Sequence, residues 1–407
     1  MRSQFNFFRY LDVFIIPFIA MLKILILIDY SSEFSRRLLR GLIQYSKEHG
    51  PWIFYRLPSY YKTLYGKEGI VEWAREWEAD AIVARWDHEG TNLLESLNIP
   101  ILLQNYKKRS PYFSNLTGDY FGTGEMAAQF FIKRRFRNFA FYGNKGVVWS
   151  RERAEGFRTQ VEKAGGNYYY FESENLDGEE WGSSHIELDE WLLSLPKPIG
   201  LFACDDNFAL RVSQYCKINN IKIPEEIALL GVDNDELICN LSDPPISSIV
   251  TDVEKGGYEA GRLIDRMTKG EIKEPFNIII RPTRFELRKS TEKYDIGNEY
   301  ISQIVNFIED NFISDINIEE LTELVPLSRR NLEVKFKDEM GTSIYQFILS
   351  CRIDYFAHLL VTTERTLFDL ALESGFNDCK NIARIFKKMK GCTPVEYRKN
   401  YCDSLTK

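Results

Sequence analysis

Apolar runs of strand length alternate with stretches that are apolar at helical spacing as far as Leu287. Leu22–Ile28 (LKILILI) is continuously apolar, as in a strand buried on both faces of a parallel sheet. A helix is expected from about Ser35 to His49, then a strand at Trp52–Leu57, a helix near Gly66–Trp77 and a strand ending at Trp86. A helix at Leu93–Leu97 and a strand after Pro100 complete the series. The pattern restarts after GDYFGTG (Gly118–Gly124). Further strands are NFAFYG, Tyr168–Phe171, PIGLFAC, EIALLGV and Ile246–Val250, separated by helices, with a late helix at Lys255–Thr268 and extended chain around Phe276–Leu287. Such alternation predicts two α/β lobes in tandem, each a doubly wound parallel sheet, with late segments free to cross back. That is the plan of a two-lobed ligand-binding clamp.

The rhythm changes after Leu287. Arg288–Gly297 is polar and charged and reads as a linker, and Asn298–Phe312 is an amphipathic helix with Ile301, Ile304, Val305 and Ile308 on one face. Two short helix pairs follow, Ile316–Gly341 and Thr366–Gly391, joined by a longer helix. In each, a short apolar-periodic helix meets a turn and then a cation-bearing helix. Ser328 and Asn377 stand where an N-cap is needed. This is helix-turn-helix grammar written twice, in an all-α region. The expected division is an extension at 1–21, a sensing domain at 22–287, a linker at 288–297 and a DNA-binding domain at 298–401.

Composition refines the picture at a few points. A chain of 407 residues calls for two or three domains. The net charge of −7 argues against a wholly basic nucleic-acid coat, yet Lys380–Lys399 holds seven cations against one acid, Glu396. Seven scattered cysteines without CxxC, and four histidines without ligand spacing, point to reduced thiols, no metal site and no cofactor. Val13–Ile28 is nearly all apolar behind Arg2 and Arg9, but Asp12 and Pro17 interrupt the run and its second half is a good strand. An early start codon or a short extension is expected there, and no membrane partner.

The string GF…R.FKK..G.TP.EYR, carried by Gly375, Phe376, Arg384, Phe386, Lys387, Lys388, Gly391, Thr393, Pro394, Glu396, Tyr397 and Arg398, resembles the DNA-binding domain of AraC/XylS regulators. Leu332, Phe336 and Lys337 carry the same likeness in the first unit. Upstream, IPEEIALLGVDN and ISSIVTDVEKGGYEAGRLI, with Asp119, Arg153 and Asp205–Asp206, resemble the sugar-sensing domain of LacI/GalR regulators, related to periplasmic sugar-binding proteins. Together they imply a cytoplasmic transcription regulator rather than an enzyme. The implied partners are double-stranded DNA, a pentose effector with D-xylose foremost, a second copy of the chain and RNA polymerase. Another sugar, or repression, is the alternative; an exported sugar-binding protein is a more distant one.

Ligands of open α/β sheets bind beyond the carboxyl ends of the strands, where Asp29, Asp205 and Asp233 are expected. Carboxylates accept hydroxyl hydrogens and Arg153 offers a donor fork, which suits a vicinal polyol. Trp86 and Phe34 could stack on a sugar face. The ordinary alternative is that these aspartates cap helices and the aromatics fill the core; the resemblance favours ligand contact for Arg153, Asp205 and Asp233, and leaves Asp119 balanced between ligand and cap. On the DNA side, Arg329, Arg330 and Asn331 open one reading helix and Cys379 and Lys380 the other, with Arg384, Lys387 and Lys388 placed for phosphates. Val325, Leu332, Phe336, Leu370, Phe376 and Phe386 are expected in the core. Asp205 and Asp206 resemble a catalytic carboxylate pair only superficially, since neighbours at a helix start point apart; no nucleophile motif, P-loop or dinucleotide fingerprint accompanies them.

Overall fold

The computed structural model describes residues 21–402 apart from positions 29, 31, 58, 87–90, 105–107, 174–183, 364 and 377–380. Strand β1 (Lys23–Leu27) leads into α1 (Glu33–His49), opened by the Ser32 hydroxyl accepting from the N–H of Ser35. Then come β2 (Ile53–Arg56), α2 (Ser59–Glu76), β3 (Ala81–Arg85), α3 (Thr91–Glu95), β4 (Ile101–Gln104) and β5 (Ser114–Gly118). The chain crosses to a second lobe with α4 (Tyr120–Lys133), β6 (Asn138–Asn144), α5 (Val148–Lys163), β7 (Asn167–Ser173), α6 (Ser184–Ser194), β8 (Ile199–Ala203), α7 (Asp206–Ile218), β9 (Ile227–Val232), α8 (Glu236–Leu241) and β10 (Ser247–Thr251). It returns for α9 (Val253–Thr268) and β11 (Asn277–Ile280), then crosses a third time into β12 (Pro282–Glu286).

Each lobe has a six-stranded sheet, in the orders β11-β5-β4-β3-β1-β2 and β12-β10-β9-β8-β6-β7. All pairings are parallel except that of β12 with β10. The three crossings are bonded to one another. Asp119 N–H donates to the Ile280 carbonyl (2.7 Å), Asp252 N–H donates to the Arg281 carbonyl (3.0 Å), and Arg281 N–H donates to the Asp252 carboxylate (2.5 Å). They form one hinge.

Two helix pairs pack with backbones almost touching. A Cβ on Gly124 would lie 2.1 Å from the Arg153 carbonyl, and one on Gly156 would lie 2.0 Å from that of Phe121. Only glycine permits this approach of α4 to α5, and it seats Arg153 against Tyr120. Gly41 and Gly257 play the same part between α1 and α9.

The second region contains α10 (Glu299–Asn311), α11 (Ile318–Glu323), α12 (Arg329–Met340), α13 (Ile344–Thr362), α14 (Leu367–Glu373), α15 (Ile382–Lys390) and α16 (Pro394–Cys402). Pairs α11–α12 and α14–α15 are the two expected units. Ile344, early in α13, packs with the first unit's core, whereas Ile353, Phe356 and Leu360 pack with the second's. The residues expected as core are all buried, with Leu332, Phe336, Leu370 and Phe386 fully so.

Two features differ from the sequence reading. The polar run SNLTG forms β5, because Ser114, Asn115 and Thr117 are buried with their polar atoms paired; the Asn115 amide donates to Ser110, Phe113 and Asn277. The stretch 288–297 is packed rather than free. The Ser290 hydroxyl, fully buried, donates to the Leu229 carbonyl (2.6 Å) and accepts from Ser247 N–H (2.8 Å), and Tyr294 enters the core beside α10. Buried hydrogen-bonded polar residues look like linker in a hydrophobicity pattern.

Candidate functional site: an interlobe cleft and two DNA-facing units

The carboxyl ends of both sheets face each other across the hinge. Arg36 of α1 ties them, donating from Nη1 to the Tyr30 carbonyl beyond β1 (3.0 Å) and pairing through Nη2 with Asp235 beyond β9 (3.2 Å). A second bridge joins Arg109, between β4 and β5, to Glu152 of α5 with paired hydrogen bonds of 2.5 and 2.7 Å. Fork-to-carboxylate pairing is strong and geometrically specific, so this bridge fixes the loop between β4 and β5 against α5.

Among the described residues of this region, several buried polar atoms have no hydrogen-bond partner: Tyr30 Oη, Trp86 Nε1 and Gln104 Oε1 at the strand ends of the first lobe, and Asn144 Oδ1, Arg153 Nε and Asp233 Oδ1 in the second. Buried polar groups are otherwise nearly always paired. The set mixes donors and acceptors, with neutral and charged members, and suits a ligand that offers many hydroxyls. Burial pushes the Tyr30 phenol up to about 12, which keeps it a neutral donor and acceptor.

Arg153 is the centre on the second lobe. It is 4% exposed, donates to the Cys204 carbonyl (2.5 Å), and its Nη2 lies 3.6 Å from Asp233 Oδ1. The rings of Tyr120 and Trp149 flank the guanidinium at 5.5 Å. Asp233 sits at φ 94°, and burial raises its carboxyl while Arg153 and Arg37 pull it back. Asp205 caps α7 through the Phe208 N–H (2.8 Å). Its carboxyl is pushed up to about 6, chiefly by desolvation and then by repulsion from Asp233. Asp206 turns away, accepting from Asp235 N–H (2.7 Å) and the Ser248 hydroxyl (2.6 Å), and so shapes the loop that presents Asp233. The next residue in that loop, Asn234, accepts from Arg288 Nη2 (2.8 Å), which binds the cleft wall to the interdomain segment.

The structure thus brings Arg153, Asp205 and Asp233 together and puts Trp86 at the same strand-end level of the other lobe. Asp119 is engaged as the cap of α4, accepting from Gly122 N–H (2.9 Å). Phe34 packs against the first lobe's core. Asp29 lies outside the described residues. Tyr30, Gln104, Asn144 and the Arg109–Glu152 bridge went unseen in sequence. For Gln104 and Asn144 a signal existed: each is a polar residue at the carboxyl end of a strand whose central residues are largely apolar.

On the DNA side, Ser328 caps α12, and Arg329, Arg330 and Asn331 open it on an exposed face. Arg329 is held by Glu319 (3.4 Å) and Glu333 (3.2 Å). In the second unit Arg384, Lys387 and Lys388 are exposed along α15 around its buried Ile382 and Phe386. Cys379 and Lys380 fall outside the described residues. The connecting α13 has 19 residues, a rod of roughly 28 Å at 1.5 Å per residue.

Comparisons with known proteins agree with both halves. A periplasmic binding protein-like domain matches residues 128–291, and a helix-turn-helix domain matches residues 321–400. A xylose operon regulatory protein of Haemophilus influenzae is 28% identical over 388 residues, covering 93% of this chain and 98% of its own. That of Escherichia coli K12 is 26% identical over 332 residues, covering 80% and 85%. Among solved structures, a xylose-binding transcription activator superposes with a TM-score of 0.59 at 24% identity, covering 94% of this chain and 99% of the other. A periplasmic binding protein/LacI regulator from Alkaliphilus metalliredigens, complexed with D-xylulofuranose, gives 0.55 at 16% identity, covering 67% of this chain and 99% of the other. The chain therefore joins a periplasmic binding protein-like domain to a helix-turn-helix domain, and it is similar to xylose operon regulatory proteins over nearly its whole length.

Proposed function

We propose that this protein is a transcription activator whose affinity for operator DNA is set by a pentose, D-xylose foremost, bound between the lobes of its sensor. The observation that carries this reading is the set of partnerless buried polar atoms at the strand ends of both lobes, in one chain with two helix-turn-helix units. Arg153, Asp205 and Asp233 take hydroxyls from one side. Tyr30, Trp86 and Gln104 take them from the other, and Asn144 closes the floor. A sugar touching both lobes favours the closed form, because a ligand shifts an equilibrium only through its differential affinity for the two states.

Arg330 and Asn331 read base edges in this proposal, and Arg384, Lys387 and Lys388 hold phosphates. A homodimer in the cytoplasm, contacting RNA polymerase, completes it. The xylose assignment comes from the names of the relatives, since carboxylates and a guanidinium accommodate many polyols.

The test is binding of the full-length protein to its own upstream DNA at fixed salt, with D-xylose, L-arabinose, D-ribose or no sugar. Tighter binding with D-xylose alone is the expected result. Equal tightening by every pentose removes the xylose assignment, and no response to any pentose removes the sensor reading.

A further inference from the structure

Helix α4 is fixed at its two ends to parts of the molecule that do different work. At its start Asp119 belongs to the hinge, bonded to Ile280, and Tyr120 lies against the Arg153 guanidinium. Its 14 residues make a rod of about 21 Å. At its far end stand three consecutive cations, Lys133, Arg134 and Arg135, and they reach both DNA-facing units.

Arg134 is a buried anchor. It is 7% exposed, pairs with Glu309 of α10 (3.3 Å), stacks over Phe130 (3.8 Å) and Tyr294 (5.0 Å), and accepts at its carbonyl from Asp295 N–H (2.9 Å). Arg135 lies beside Gly341, the left-handed cap of α12, where a Cβ would come within 3.4 Å of its Nη1. These contacts hold the first unit. Lys133 makes a different kind of contact. Its ammonium is 2.8 Å from Oδ2 of Asp354 on α13, and the other oxygen of that carboxylate is 2.6 Å from Lys390 in the last turn of α15. Burial would raise the Asp354 carboxyl, but Lys133 and Lys390 outweigh it and hold it below the usual carboxylate range. The Lys133–Asp354 pair is half-exposed, and exposed ion pairs of long side chains exchange readily.

We propose that α4 is the lever that carries the sugar signal, and that Lys133 hands it to the second helix-turn-helix unit by sharing Asp354 with Lys390. This rests on the sugar-responsive reading above. Movement of the α4 end changes how tightly Lys133 holds Asp354, and with it the seating of Lys390 and the tilt of α15 on the DNA backbone. The first unit, bound through buried Arg134, follows the sensor as a rigid body. Lys133 and Asp354 are positioning residues for DNA reading and touch no sugar.

The experiment uses full-length protein, D-xylose and operator DNA. In Lys133→Gln and in Asp354→Asn, xylose affinity by calorimetry stays within about twofold of wild type, and DNA affinity without sugar is measured in each as its own baseline. The sugar-linked change in DNA affinity, on the order of 5- to 150-fold in typical coupled systems, falls by about two- to fivefold, the most that one half-exposed pair supplies, and Lys133→Arg restores it. Hydroxyl-radical footprints should show xylose altering only the half of the site covered by the second unit, and not doing so in Lys133→Gln. A responsive wild type with equally responsive Lys133→Gln and Asp354→Asn overturns the inference alone. A wild type indifferent to every pentose overturns the reading beneath it, and the inference with it.

Discussion

The cleft and the DNA face use the same residue types in opposite ways. In the cleft, Arg153, Asp205 and Asp233 are withdrawn from water and lean on one another, and several buried polar atoms on both lobes make no hydrogen bond among the described residues. On the DNA face, Arg330, Asn331, Arg384, Lys387 and Lys388 stand in solvent on helices whose cores are complete without them. Chemistry that is buried is coupled to stability and to pH. Chemistry that is exposed is nearly free of both, and answers to salt. The contrast assigns a different signature to substitutions on each side.

The largest effect is expected at Arg153. Replacing it by Met leaves Asp233 buried without its counter-charge, and removing one partner of a buried pair costs about 3–5 kcal/mol. The lower end, roughly 3 kcal/mol, is expected because the Asp233 side chain keeps about a fifth of its exposure. Denaturant unfolding of the single variant and of Arg153→Met with Asp233→Asn measures this. The double variant should recover part of the loss, since it removes the stranded charge. Equal stability of single and double variants would show that the two side chains do not act as a pair.

Asp205 gives a smaller effect with a definite pH sign. Its folded-state carboxyl titrates near 6, above the ordinary value of 3.8. The folded state thus binds the proton more tightly than the unfolded chain. The contribution of this group to stability is fully present below about pH 4 and is lost as pH rises to about 6. Asp205→Asn, which keeps a good cap for α7, should flatten that window. It should also raise stability at pH 7 by about 1–2 kcal/mol, less than the full 1.36 kcal/mol per unit because the side chain keeps some solvent contact. Sugar affinity should fall in the same variant, and in wild type it should fall below about pH 6 as the acceptor takes a proton. Calorimetric sugar titrations at several pH values check both. A flat affinity between pH 5 and 7 would remove Asp205 from the ligand set.

These differences also govern what could be read from the sequence. Periodicity sufficed for most strands and helices, because apolar burial decides them. It failed at β5, whose Ser, Asn and Thr are buried through hydrogen bonds, and at Ser290 and Thr291, which look solvated and are sealed inside. The DNA-facing units were legible as a motif because turn, cap and core residues recur at fixed offsets in one short stretch. In the cleft, family strings marked Arg153, Asp205 and Asp233, which the structure brings together. Its other wall comes from residues as distant as Tyr30 and Gln104, each unremarkable alone, and only the sheet order places them at one level. The Lys133–Asp354–Lys390 contact spans 257 positions between its outer lysines, and no local pattern announces it.

The smallest effect on stability, and the cleanest separation of the two regions, is expected along α15. Changing Arg384, Lys387 and Lys388 together to Gln removes three exposed cations that support no core packing. Unfolding free energy should move by no more than about 0.5 kcal/mol per site. Operator affinity should drop, and the slope of log K against log salt should become shallower by about 0.9 for each phosphate no longer neutralised, or about 2.7 for all three. Base preference should not change, because phosphates carry no sequence. A substitution at Arg330 or Asn331 should do the reverse, penalising one base pair by about 1–3 kcal/mol. Arg329 differs from both, since in the free protein it is already held by Glu319 and Glu333 and must leave them to reach DNA. If the α15 triple variant instead altered base preference and left the salt slope intact, α15 would be the reading helix and α12 the clamp, and the roles argued for the two units would be exchanged.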